Sequence, residues 1–135
     1  MRVINLTDLE KSEIKYKISK FPDGQQNITI DKNQFEFGTP IQIKSRLNNF
    51  QDLELIIAIT QSLRNLNVKQ ICLYTPYFLG SRSDRQFEEG SCNYLKQVIC
   101  PIINSLNFES VTVLDPHSDV LEACLNNFKK IDNLY

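Results

Sequence analysis

Two polar clusters in this chain carry side chains suited to phosphate and metal chemistry. The first is the run from Pro76 to Arg85, in which Arg82 and Arg85 flank Ser83 and Asp84, with Ser81 just before them. Two guanidinium groups with two nearby hydroxyls suit phosphate oxygens, because a planar guanidinium donates paired, charge-assisted hydrogen bonds. The second is Asp115-Pro116-His117-Ser118-Asp119, which holds carboxylates and the only histidine of the chain. Carboxylate and imidazole donors suit a divalent cation.

Each cluster directly follows a run of apolar and β-branched residues, Ile71 to Thr75 in one case and Val111 to Leu114 in the other. Both runs are expected to be buried strands. In an open α/β sheet, ligands collect at the carboxyl ends of the strands, so both clusters are placed on one ligand-binding edge. Read without that context, Arg82, Asp84 and Arg85 would be a solvated loop with weak surface ion pairs. His117 would likewise be a hydrogen-bonding, half-buried histidine, and Asp119 a helix-capping acid.

The elements that position these clusters are legible in the hydrophobic pattern. Ile14, Tyr16 and Ile18 alternate with Lys15, Lys17 and Ser19, and Ile28 and Ile30 resume the alternation after Pro22-Asp23-Gly24. Residues 13 to 31 therefore read as a hairpin. A short strand is expected over Ile41 to Ile43. From about Asn49 to Asn67, apolar residues at Phe50, Leu53, Ile56, Ile57, Leu63 and Leu66 predict a helix, with Asp52 and Glu54 near its positive end. Leu55, Ala58 and Ile59 widen its apolar face. That width predicts burial against both the sheet and a second surface, for which a second subunit is a candidate.

A further helix is expected from Ser91, and Pro101 should kink or break it. The pattern Val120, Leu121, Cys124, Leu125 and Phe128 predicts a last helix. The order of elements implies right-handed crossovers and a mainly parallel sheet in one α/β domain, with no second domain boundary.

Bulk properties narrow the function. With 15 basic and 16 acidic residues among 135, a net charge of -1 and no basic block, the chain lacks an electrostatic footprint for nucleic acid. No apolar run approaches a membrane span and no signal peptide is evident, so a cytoplasmic chain is expected. Cys72, Cys92, Cys100 and Cys124 form no Cys-x-x-Cys pair, so reduced packing residues are expected rather than zinc ligands or disulfides.

These residues resemble the N-terminal half of the ribose-phosphate diphosphokinases, also called phosphoribosyl-pyrophosphate synthetases, in a divergent form of the short kind found in phages and bacteria. Phe21-Pro22-Asp23-Gly24-Gln25 resembles the family's Phe-x-Asp-Gly-Glu segment, and Leu53-Glu54-Leu55-Ile56 its Met-Glu-Leu-Leu helix. Pro76-Tyr77-Phe78 with Arg82-Ser83-Asp84-Arg85 resembles its Pro-Tyr-Phe-Gly-Tyr-Ala-Arg-Gln-Asp-Arg, and Asp115-Pro116-His117 its Asp-Leu-His. Gln25 stands where the family has a carboxylate, and Ser83 where it has a glutamine.

The resemblance implies a phosphoribosyltransferase-like fold and an ATP site formed by Phe21, Asp23, Gln25, Arg82, Ser83, Asp84, Arg85 and His117, with Phe21 against adenine. It implies Mg2+ at Asp115 and His117, ribose 5-phosphate as acceptor and a homo-oligomer. The family's Thr-Gly-Gly loop for ribose 5-phosphate has no counterpart in these residues. The chain is therefore expected to be a single N-terminal domain without the C-terminal half, as a fragment, a natural truncation or one component of a split enzyme. No catalytic residue of its own is expected. Two other readings stay open: a non-catalytic regulatory or assembly module of the same fold, and a relative acting on another acceptor that contains ribose 5-phosphate.

Overall fold

The computed structural model describes residues 1–79, 89–114 and 119–131. Its framework is a five-stranded parallel sheet of β1 (Arg2–Asn5), β4 (Ile41–Lys44), β5 (Ile71–Thr75), β6 (Ser110–Val113) and β7 (Phe128–Lys130), hydrogen-bonded in that order. A separate antiparallel hairpin pairs β2 (Tyr16–Lys20) with β3 (Gln26–Ile30). The hairpin closes through the Phe21 amide donating to the Gln25 carbonyl at 2.8 Å and the Gly24 amide donating to the Phe21 carbonyl at 2.8 Å. Gly24 adopts φ +93°, a conformation that residues with a Cβ rarely adopt. The phosphoribosyltransferase-like α/β architecture expected from the sequence is the one observed.

Every crossover among β4, β5, β6 and β7 moves one place in the same direction across the sheet. Right-handed connections then put all their helices on one face. The buried residues agree: Ile4, Ile41, Ile43, Leu73, Val111 and Val113 of the sheet share one core with Ile56 of the first long helix, Ile103, Leu121 and Ile28 of the hairpin. The runs at 71–75 and 111–114 are accordingly buried on one face only. Cys72, Tyr74 and Thr112 alternate with the core positions and are half-exposed.

Helix α1 (Phe50–Asn65) begins at Asn49, whose Oδ1 accepts the Asp52 amide at 2.9 Å while the Asp52 carboxylate accepts the Asn48 amide at 2.9 Å. These bonds occupy amide donors that no helical carbonyl could reach. Leu53, Ile56, Ile59 and Leu63 are fully buried on this helix. Its second surface is the chain's own hairpin: α1 packs on β3, the Ser62 hydroxyl donates to the Ile28 carbonyl at 3.2 Å, and Gln26 Nε2 donates to Glu54 Oε1 at 2.8 Å. At the other end, the Arg64 guanidinium donates to the carbonyls of Lys69 at 2.7 Å and Asn107 at 3.0 Å, tying two loops to α1.

The break expected at Pro101 takes the form of a change in helical winding. Tyr94–Ile99 form a π-helical segment in which the Cys100 amide donates to the Leu95 carbonyl, five residues back. Helix α2 (Cys100–Ser105) then starts with Pro101 in its first turn, where a missing N–H costs nothing.

Two local readings are corrected. The last helix, α3 (Asp119–Cys124), stops before Phe128, which lies on β7. Asn127 at φ 57° turns the chain into that strand, and its Nδ2 donates to the Phe108 carbonyl at 3.1 Å. β1 was not apparent from pattern, because four residues pairing with β4 are too few to show a period. Its outer edge is held by the Glu13 and Ile14 amides, both donating to the Val3 carbonyl, and by the Arg2–Glu13 ion pair at 3.2 Å. Among the described residues, no helix is long and apolar enough to cross a membrane.

Because Ile56 is wholly enclosed between sheet and hairpin, Ile56→Ala is expected to lower unfolding stability by about 2–5 kcal/mol, read as a lower urea midpoint at unchanged slope.

Candidate functional site

The strands that lead into the two polar clusters end side by side. β5 and β6 are neighbouring parallel strands in which Thr75 is registered against Val113, and the Leu114 amide donates to the Thr75 carbonyl at 3.1 Å. Chain leaving these two strands therefore starts from adjacent points on the carboxyl edge. The exit from β5 is anchored by Phe78, which is fully buried, and by the Thr75 hydroxyl donating to the Tyr77 carbonyl at 2.7 Å. Arg82, Ser83, Asp84 and Arg85 follow the first exit, and Asp115 and His117 the second; all six lie outside the described residues.

The hairpin tip reaches the same edge. Helix α1 starts just beyond the carboxyl end of β4, and the tip is fastened to its first turns through the Gln26 side chain, which donates to the Gln51 carbonyl at 3.1 Å and to Glu54 Oε1 at 2.8 Å. An open cleft of about 430 Å³ lies between tip and helix, lined by Asp23, Gly24, Gln25, Phe50, Gln51 and Glu54. Asp23 Oδ1 accepts the Gln25 amide at 3.0 Å, which holds the turn. Phe21 stands beside it with 48% of its surface exposed, a large aromatic left in solvent by the fold.

Phe50, one of the apolar positions that predict α1, lies at this edge and meets Tyr94. Their rings meet edge to face with centroids 6.3 Å apart at 67°, although Phe50 is 48% exposed. The contact joins the start of α1 to the π-helical segment that follows the arginine cluster. Only an aromatic at a helix's first position, too early to be enclosed by the core, hinted at this in the sequence.

Two other features have different chemistry. A smaller hollow of about 110 Å³ is lined by Asn104, Asn107, Asn126 and Asn127 at the opposite edge of the sheet. There Asn104 Nδ2 donates to the Cys124 carbonyl at 2.9 Å and its Oδ1 accepts the Asn126 amide at 2.9 Å, so this amide serves the turn between α3 and β7. All four cysteines are free thiols. Burial, with Cys124 alongside, pushes the Cys100 thiol up to about 12. Among the described residues, no group of three His, Cys, Asp or Glu side chains could hold a metal ion.

No protein-family model matches this chain. Two curated relatives do: the ribose-phosphate pyrophosphokinase of Saccharolobus solfataricus is 26% identical over 106 residues, covering 77% of this chain and 35% of that protein. Its counterpart in Sulfolobus acidocaldarius is 29% identical over 107 residues, covering 78% and 35%. This chain is similar to ribose-phosphate pyrophosphokinases. It spans about a third of the length of these relatives. The phosphoribosylpyrophosphate synthetase crystal structure from Mycobacterium smegmatis superposes with a TM-score of 0.77 over 97% of this chain and 48% of that one, at 11% identity. The fold of that synthetase thus extends over nearly the whole chain.

A thiol as basic as Cys100 is neutral at pH 8 and a weak nucleophile, whereas Cys92 is exposed. A thiol-reactive probe at pH 8 is expected to modify Cys92 rapidly and Cys100 only under denaturing conditions, as checked by peptide mass mapping; rapid labelling of Cys100 in the native chain would contradict this arrangement.

Proposed function

We propose that this chain is the ATP-binding N-terminal domain of a ribose-phosphate diphosphokinase. The observation that carries the proposal is the convergence, on one sheet edge, of the Phe21–Gln25 hairpin tip, the start of α1 and the paired exits of β5 and β6. That edge presents an exposed aromatic face and hydrogen-bonding groups, and in the sequence Arg82, Arg85, Asp115 and His117 follow the two strands that end there. The similarity to named pyrophosphokinases supplies the substrate class.

In this reading Phe21 stacks on adenine, Asp23 and Gln25 address the base edge, and Arg82, Ser83, Asp84, Arg85 and His117 bind the phosphates. Magnesium arrives with ATP as the substrate complex and neutralises charge on the phosphate oxygens. Asp115 would offer the hard carboxylate oxygen that this ion prefers, and His117, two residues on in the sequence, a nitrogen donor. The C1 hydroxyl of ribose 5-phosphate attacks the β-phosphorus, the bond from that phosphorus to the α-phosphate oxygen breaks, and AMP leaves while the hydroxyl proton is released. Such transfer needs positioning and charge neutralisation rather than a protein nucleophile. A homo-oligomer fits the exposed Ile18, Phe21 and Phe50 around the hairpin.

Calorimetric titration of ATP tests the site. Arg82→Ala is expected to weaken binding by about 1.5–3 kcal/mol with the fold intact, and Arg82→Lys to recover only part of the loss. His117→Ala should reduce the magnesium dependence of binding more than the affinity measured without metal. Unchanged affinity in Arg82→Ala would remove the nucleotide from this edge. In a coupled assay of AMP release from ATP and ribose 5-phosphate, the 135-residue chain is expected to show no turnover above background.

Light scattering at micromolar concentration is expected to give at least a dimer mass, reduced to a monomer by Phe21→Ser; a monomeric wild type would exclude the oligomer.

A further inference from the structure

A parallel sheet is ordinarily covered on both faces, because its crossovers distribute helices to either side. Here the described helices and the hairpin all pack on the first face, so no described helix or strand remains to cover the second. Strand register defines that second face: Lys44, Tyr74, Thr112 and Lys129 form one row across four strands, and Gln42 beside Cys72 lies in the next. Four strand spacings of about 4.8 Å make the five-stranded face about 19 Å wide. Gln42, Cys72, Tyr74 and Thr112 are half-exposed, and Lys44 and Lys129 are exposed.

The chemistry of this face is lopsided. The chain as a whole has 16 acidic and 15 basic residues, yet none of the strand positions on this face holds an aspartate or glutamate. Its centre is the Tyr74 ring and the Cys72 thiol, with ammonium groups to either side. A second copy docked face to face would bring four ammonium groups together with no carboxylate to oppose them. The apolar centre calls for apolar side chains, and the flanking lysines for acids.

We propose that the uncovered face of the sheet is a docking surface for an acidic amphipathic helix of another polypeptide, with an apolar stripe over Cys72 and Tyr74 and carboxylates against Lys44 and Lys129. A helix is the element that packs on parallel sheets, and its stripe at i, i+3, i+4 and i+7 matches a narrow apolar strip between charged borders. This surface is separate from the carboxyl edge proposed for nucleotide, so each can fail without the other.

The probe is a fluorescent synthetic peptide of about 18 residues, long enough to be helical, with leucines on one stripe and glutamates along both borders. A second peptide carries lysine at every glutamate position. Fluorescence anisotropy with the wild-type chain is expected to show saturable binding of the glutamate peptide, at least ~10-fold tighter than the lysine peptide and weakening with added salt. The double variant Lys44→Glu, Lys129→Glu alters two exposed side chains, and circular dichroism should confirm an unchanged fold. It is expected to invert the preference between the peptides. No saturable binding, equal binding of both peptides, or an unaltered preference in the folded double variant would overturn the proposal. Self-association of the wild type that disappears in the double variant would assign the face to a second copy instead, and would equally overturn it.

Discussion

Handedness governs this molecule more than any single contact. With strands added one after another in the same direction, right-handed connections have one face on which to lie, and that face receives α1, α2, α3 and the hairpin. The core follows from this constraint: isoleucines of β1, β4 and β5 meet leucines and isoleucines of the helices in one continuous cluster. The opposite face follows too, since its strand positions must be compatible with water or with a partner. The sheet therefore alternates like a half-exposed antiparallel one, although all its strands are parallel.

The same constraint sets the candidate site's edge. One-directional crossovers bring the carboxyl ends of β4, β5 and β6 out in sequence along one rim, so that loops far apart in the chain emerge as neighbours. The hairpin adds a second layer to that rim because it packs along α1 and is pinned at Glu54 and Gln51. Gln26 thereby links the turn chemistry of Pro22-Asp23-Gly24 to the start of the helix. The exposed Phe21 ring is a consequence of the turn, which places it at a tip with no core within reach.

The winding change before Pro101 is a local accommodation with a wider effect. A five-residue spacing through Tyr94–Ile99 widens the helix where Cys100 meets Leu95, so that Pro101 enters at a fresh first turn. It also orients Tyr94 towards Phe50, coupling the segment after the arginine cluster to the helix under the hairpin. The thiols of Cys100 and Cys124 pack where α2 and α3 meet, and burial makes Cys100 inert filler rather than a reagent.

Patterns that repeat within one element were legible in the residues alone. The hairpin, its Asp-Gly turn and α1 with its Asn49 start could be read from periods of two or of about 3.6 residues and from local turn chemistry, and the strands before the two polar clusters from their apolar, β-branched runs. The Arg82–Arg85 and Asp115–His117 clusters follow two of those strands in the sequence and lie outside the described residues. Other features are set by pairing between distant segments and leave no local trace. β1 exists because Arg2 to Asn5 find β4, and β7 because Asn127 turns Phe128 out of a helical pattern to lie beside Val111. The second surface of α1 proved to be the hairpin, and Phe50 joined Tyr94, only once the chain was folded. The uncovered face of the sheet belongs to this second group. The runs at 71–75 and 111–114 read as buried strands, and which side the connections take is a property of strand order and handedness, which exist only in three dimensions.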